Sequence, residues 1–170
     1  YQHLYRRYEV IDDYFKSQEL YAIELETLLE SKNIKFKSIF EIGCGAGGAL
    51  NYFLKNNYIV GGSEYSGELL NFINNSKLKN FVVSPENVKR YDYDIIFLNH
   101  VFEHLDNPKS FLLDIIKKMA PNSKIVLTVP DYSRIDLFRY PGGNLMNYIH
   151  IAHKFNFSYL SFKKLSNQLN

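Results

Sequence analysis

The sequence predicts an α/β protein with a doubly wound, mainly parallel sheet and helices on both faces. Three observations predict it. β-Branched and aromatic runs alternate with segments of helical periodicity across residues 37–129. A glycine-rich turn, Gly43-Cys44-Gly45-Ala46-Gly47-Gly48, joins the first strand-like run to the first of those helices. Asp94 to Asn99 encloses the unbroken apolar run Ile-Ile-Phe-Leu, as in a strand buried on both faces. In such a sheet the crossovers are right-handed, and ligands sit at the carboxyl ends of the strands.

The elements follow in order. Residues 1–30 read as helical: Tyr1, Tyr5 and Tyr8 recur at near-helical spacing, as do Leu20, Ile23, Leu28 and Leu29. Residues 37–43 read as the first strand, 48–55 as a helix, 58–63 as a strand, 67–74 as a helix and 81–84 as the third strand. The fourth strand is residues 94–99. Residues 108–119 read as a helix, with Pro108 suited to its first turn and Phe111, Leu112, Ile115, Ile116 and Met119 as its apolar stripe. Pro121-Asn122-Ser123 is a turn, and residues 124–129 are a fifth strand. Residues 131–160 read less clearly, as a loop or short helix followed by an aromatic stretch containing His150 and His153. Residues 161–169 form a last helix, with Phe162, Leu165 and Leu169 on one stripe.

Composition excludes several classes. The 170 residues suffice for one domain with its own core. Hydrophobic residues make up 46% and charged residues 22%, as in ordinary globular proteins. The net charge is +2 with dispersed basic residues, so no nucleic-acid surface is announced. The single cysteine, Cys44, excludes an internal disulfide. No apolar run of membrane-spanning length and no secretory signal occurs, so a cytoplasmic protein is the expectation.

The glycine turn has the character of a nucleotide site. Its glycines let the backbone turn sharply and approach a ligand, and the helix after it offers unpaired N–H groups at its start. Two patterns share these residues. Gly43-x-Gly45-x-x-Gly48 satisfies the dinucleotide fingerprint, with Glu64 near the position of its ribose-binding acid. Glu41-x-Gly43-x-Gly45-x-Gly47 satisfies a second pattern, in which an acid stands two residues before the first glycine.

That second pattern resembles motif I of the class I S-adenosylmethionine-dependent methyltransferases. Three further segments agree in order and spacing. Glu64 ends the second strand. Glu103-His104 precedes Asp106-Asn107-Pro108 after the fourth. Met119-Ala120-Pro121-Asn122-Ser123 leads into Ile125 to Pro130, with Asn122-Ser123 replacing that turn's usual double glycine. The resemblance covers residues 36–130, and its nearest group is the small-molecule methyltransferases that modify sugars, quinones and other metabolites. It implies a Rossmann-like, truncated class I fold, S-adenosylmethionine as cofactor and methyl transfer to a small acceptor, at oxygen sooner than at nitrogen or carbon.

The resemblance also implies roles. Glu41 with Gly43, Cys44, Gly45 and Gly47 would hold the cofactor's methionine portion. Glu64, followed by Tyr65, would accept hydrogen bonds from the ribose hydroxyls, so Glu64→Ala should weaken binding with little loss of fold. Pro85 and Glu86, after the third strand, fall at the adenine contact, and Asn99 and His100 end the fourth strand near the cofactor. His104 is the first candidate for a base acting on an acceptor hydroxyl. His153, and with it His150, lies in the expected acceptor wall or lid. Tyr5 or Tyr8 would touch the cofactor or simply pack. Two further strands normally complete this sheet. Without them the fifth strand is an edge, which a longer chain, another segment or a homodimer would cover.

Other readings compete. His100-x-x-Glu103-His104 matches the inverted zinc-peptidase pattern, but that belongs on a long helix, whereas here it directly follows a strand. Metal-free methyl transfer is the expectation. An NAD-dependent oxidoreductase would use the same glycine loop, although no Tyr-x-x-x-Lys signature accompanies it. A non-catalytic cofactor-binding module is the third reading.

Overall fold

The computed structural model describes residues 11–133 and 153–169. Its strands are β1 (Ser38–Ile42), β2 (Ile59–Ser63), β3 (Val82–Val83), β4 (Ile95–Asn99) and β5 (Lys124–Thr128). They form one sheet in the order β3-β2-β1-β4-β5. β1 runs parallel to both β2 and β4, and β2 runs parallel to β3. The helices are α1 (Ile11–Ser31), α2 (Gly48–Lys55), α3 (Gly67–Asn74), α4 (Pro108–Lys118) and α5 (Tyr159–Leu169). The predicted parallel α/β architecture is therefore present, and α2 and α3 span the predicted residues. No helix among the described residues is long and apolar enough to cross a membrane. The expected tyrosine contacts at 5 and 8, and His150, lie outside the described residues.

The chain divides into two compact units. The first runs to Leu98 and includes Met119–Val126. Its core joins Ile39, Val60, Val82, Ile95 and Phe97 of the sheet to Ala49, Leu50 and Phe53 of α2 and to Ala22, Leu25 and Leu29 of α1. α1 buries Gln18, Ala22, Leu25 and Leu29, at steps of four, three and four residues. This corrects the expected stripe: Leu20, Ile23 and Leu28 are exposed. The inward face is the one whose small Ala22 permits close approach and whose Gln18 meets the glycine loop, so apolar spacing alone misassigned it.

Helix ends in this unit follow local chemistry. α1 closes on Asn33 at φ 56° and α2 on Asn57 at φ 64°. In each case two amides turn back onto the helix: Asn33 and Ile34 onto Glu30 and Leu29, and Asn57 and Tyr58 onto Leu54 and Phe53. This is the Schellman arrangement, with asparagine in the left-handed position. It turns both helices directly into the strands that follow. The entrances of β1 and β4 are clipped together, since Asp94 accepts from the amides of Lys37 and Ser38, and Ser38 accepts from the amide of Asp94.

The second unit comprises Asn99–Lys118 and the residues from Leu127 onward. Phe102, Phe157 and Phe162 form its aromatic cluster, with ring centroids 4.9–5.9 Å apart. These contacts bind α5 and the segment before it to a short 3-10 turn at Phe102–His104. A parallel bridge between Asp131 and Phe157 adds backbone pairing.

Candidate functional site

Parallel register brings the carboxyl ends of three strands to one edge. Ile42 pairs with Ser63 and Ser63 with Val83. The glycine loop, Glu64 and the 3-10 turn Pro85–Asn87 therefore start from neighbouring positions. Tyr65, Pro85 and Glu86 are exposed there, while Glu41, Cys44, Gly45, Gly47 and Glu64 are buried and Gly43 is half-buried.

The loop's amides are not open. Those of Gly43 and Cys44 donate to the Ser63 carbonyl at 2.8 and 3.0 Å, and that of Gly47 donates to the Cys44 carbonyl at 2.9 Å. Gly45 donates to Glu64 Oε2 at 2.7 Å. Ala46 and Gly48 donate to Gln18 Oε1 at 3.1 and 3.3 Å, while Gln18 Nε2 donates to the Cys44 carbonyl at 2.9 Å. Every amide from Gly43 to Gly48 thus has a partner within the chain. This corrects the expectation of free N–H groups at the loop. A dinucleotide site holds its pyrophosphate on such amides. Here α1 closes the loop through Gln18, a residue the sequence reading missed. Its signal was a polar amide on the helix stripe that also carries Ala22, Leu25 and Leu29.

Two glycines are dictated by this closure. Gly45 sits at φ +59°, and a Cβ there would lie 2.5 Å from the Tyr14 hydroxyl. A Cβ on Gly48 would lie 2.0 Å from the Phe15 carbonyl oxygen, so α1 and α2 approach through it.

Glu64 is a clamp. Besides Gly45, its carboxylate accepts from the amides of Tyr65 and Ser66 at 2.8 and 2.7 Å. It ties the glycine loop to the start of α3. A carboxylate has about four acceptor positions, so three are already used and about one is left for a ligand. The fold therefore depends on Glu64 more than the sequence reading expected.

Glu41 is the opposite case. It is 1% exposed on β1. Neither carboxylate oxygen has a hydrogen-bond partner among the described residues. Burial, and next the charge of Glu64, push its carboxyl well above the usual value of 4.5. A buried, unsatisfied carboxylate must hold a proton or meet a cation. Burial, with Glu41 and Glu64 adding to it, also pushes the Cys44 thiol up. Cys44 is thus a protonated packing residue rather than a nucleophile.

In the second unit, Asn99 ends β4 and its Oδ1 accepts from the Thr128 hydroxyl. His100 takes φ 53°, which breaks the strand, and its amide donates to the Thr128 carbonyl at 3.1 Å. His100 Nδ1 lies 3.1 Å from Glu103 Oε1. Because residues 102–104 form only a short 3-10 turn, His100 and His104 do not share a helix face and the peptidase arrangement is not built. His104 and His153 do meet, with ring centroids 5.0 Å apart. The structure adds Glu103 to them, a buried residue that the sequence reading used in the family resemblance and in the peptidase pattern but not as a site residue.

The parallel sheet, the acid-glycine loop after β1 and the acid after β2 together define a class I S-adenosylmethionine-dependent methyltransferase. The chain belongs to the methyltransferase-domain family, whose model matches residues 14–169. No curated protein sequence matches it. Among solved structures it is similar to the plantazolicin methyltransferase BpumL in complex with a pentazolic desmethylPZN analog and SAH. That likeness has a TM-score of 0.68 at 17% identity and covers 99% of this chain and 67% of the other. A SAM-dependent methyltransferase from Archaeoglobus fulgidus gives 0.60 at 21% identity, over 88% and 68% of the two chains. Coclaurine N-methyltransferase bound to N-methylheliamine and SAH gives 0.51 at 22% identity, over 62% and 34%. At these identities the likeness is one of fold.

Proposed function

We propose that this chain moves the methyl group of S-adenosylmethionine to a hydroxyl oxygen of a small-molecule acceptor, such as a sugar, a quinone or another metabolite. The observation that carries the cofactor half is the Glu41 carboxylate, buried with both oxygens unpartnered. S-adenosylmethionine is a cation carrying an ammonium group and a sulfonium, and it has no phosphate. A site with an orphaned buried carboxylate and closed loop amides suits that chemistry. It does not suit an anionic dinucleotide, so no observation favours the oxidoreductase reading.

The cofactor supplies an already activated methyl group, and the chain's residues supply position and charge. Glu41 would take the ammonium of the amino-acid end. Glu64, with about one acceptor position left, would meet a ribose hydroxyl. Tyr65, Pro85 and Glu86 lie on the same strand edge and would border the adenosine. Holding the acceptor in line is the larger part of such catalysis, worth roughly 7–11 kcal/mol in well-oriented systems. An acceptor hydroxyl must also lose a proton, and His104 and His153 are half-buried imidazoles suited to take it.

The test is calorimetric titration of S-adenosylmethionine into the wild type and Glu41→Gln, followed by an acceptor screen read as S-adenosylhomocysteine formed. Binding should weaken at least tenfold in the variant, and the wild type should turn over with hydroxyl acceptors. Equal affinities would remove Glu41 from the site. Binding without turnover on any acceptor would favour a non-catalytic module.

A further inference from the structure

The second unit sets a buried acid, Glu103, beside the two imidazoles read above as proton acceptors. Glu103 is 1% exposed, and its Oε2 has no hydrogen-bond partner among the described residues. His104 and His153 each offer a ring nitrogen beside it. One ligand atom from each of the three side chains lies within 4.8 Å of the other two. The chain brings them together across about fifty residues by ordinary backbone bonding. The amides of Lys154 and Phe155 donate to the Glu103 carbonyl at 2.9 and 3.2 Å, which docks residues 153–155 on the 3-10 turn. Lys154 pairs with Asp106, and Phe157 packs on Phe102 to hold the segment.

We propose that Glu103, His104 and His153 form a binding site for a divalent transition-metal ion, with zinc the best match. Two imidazoles and one carboxylate are a ligand set that zinc accepts, and three protein ligands leave its fourth position open to water or another oxygen donor. A softer all-thiolate preference is absent, and a hard cation such as magnesium would favour oxygens over the imidazoles. Bonds of 2.0–2.1 Å place tetrahedral ligands about 3.4 Å apart, so any pair standing near the 4.8 Å bound must draw in to bind the ion. Half-buried imidazoles can do this by ring rotation. His100 Nδ1, 3.1 Å from Glu103 Oε1, is the positioning residue: it fixes one carboxylate oxygen and leaves the other for the ion.

An ion held there takes the imidazole lone pairs, so this site would replace the proton-accepting role proposed above for His104 and His153, and the cofactor half of that proposal is unaffected. The test uses the full chain, stripped with a chelator and titrated calorimetrically with zinc ion alone, without cofactor or acceptor. Cobalt(II) followed by visible absorption reports the geometry. The expected result is one ion per chain and the intense absorption of tetrahedral cobalt. Glu103→Gln and His153→Asn should each weaken zinc binding at least a hundredfold, and His100→Asn by about 10–100-fold. His153 is half-buried, so its variant should fold, and zinc should raise the thermal midpoint of the wild type but not of His153→Asn. Equal zinc affinity in wild type, Glu103→Gln and His153→Asn would overturn the site and assign any binding to other side chains. A silent zinc titration with methyl transfer persisting in chelator would also overturn it, while leaving the proposed function standing.

Discussion

Replacing Gln18 with methionine isolates what holds the glycine loop closed. The substitution keeps side-chain volume and helix propensity nearly constant, so neither a cavity nor a weaker α1 confuses the result. It deletes three hydrogen bonds: one to the Cys44 carbonyl at 2.9 Å and those from Ala46 and Gly48 at 3.1 and 3.3 Å. The buried amides of Ala46 and Gly48 lose their partner, while the Cys44 carbonyl keeps the Gly47 amide. A buried hydrogen bond contributes about 1 kcal/mol net, and an orphaned buried group costs about 1–3 kcal/mol. The long Gly48 bond counts least. A loss of about 3 kcal/mol follows, a large share of the roughly 5–15 kcal/mol that stabilises a domain. In a chain of this size, each kcal/mol moves the thermal midpoint by about 2–4 °C, so the expected fall is about 6–12 °C. Urea denaturation should show the same loss at unchanged slope. A fall below about 2 °C would refute the view that Gln18 closes the loop.

Other substitutions test the two carboxylates and the helix contact. The folded-state value of Glu41 is raised above 4.5, so the stability its proton contributes is complete below that value and is lost as pH rises through the folded value. Glu41→Gln should therefore gain thermal stability over the wild type increasingly from about pH 4.5 upward in the absence of cofactor; a gap that shrinks with pH would contradict the assignment. Glu64→Ala removes the acceptor of three amides, whose charge-assisted bonds contribute about 1.5–3 kcal/mol each. Its thermal midpoint should fall by more than about 6 °C, and an unchanged midpoint would mean the clamp is not formed in solution. Gly48→Ala places a Cβ 2.0 Å from the Phe15 carbonyl, and the forced shift of α1 should cost about 1–3 kcal/mol despite alanine's better helix propensity. Scanning calorimetry that finds this variant as stable as the wild type would contradict the close α1–α2 approach.

What the sequence made legible is what local chemistry determines. The turn of glycines before α2 and Pro108 at the first turn of α4 each punctuate the chain within a few residues, and α2, α3 and α4 begin as predicted. The apolar run of β4 identified a strand buried on both faces. What was not legible depends on partners distant in sequence. Gln18 meets the loop from 26–30 residues away, and hydrophobic spacing on α1 pointed to Leu20, Ile23 and Leu28 instead. Glu64 stands at the expected position, but that it spends three acceptor positions on backbone amides depends on how the loop folds back. Likewise the pairing of Glu103 and His104 with His153 is created by two backbone bonds to the Glu103 carbonyl, which no sequence pattern announces.

The measurement closest to the central claim is parallel calorimetric titration of the wild type with S-adenosylmethionine, S-adenosylhomocysteine and NAD. A closed glycine loop beside an unpartnered Glu41 predicts binding of both adenosyl ligands and none of NAD. It also predicts that the cationic S-adenosylmethionine binds with release of protons from Glu41, seen as a dependence of the apparent enthalpy on buffer ionisation. Binding of NAD alone, or adenosyl binding that leaves Glu41→Gln indistinguishable from the wild type, would contradict the account.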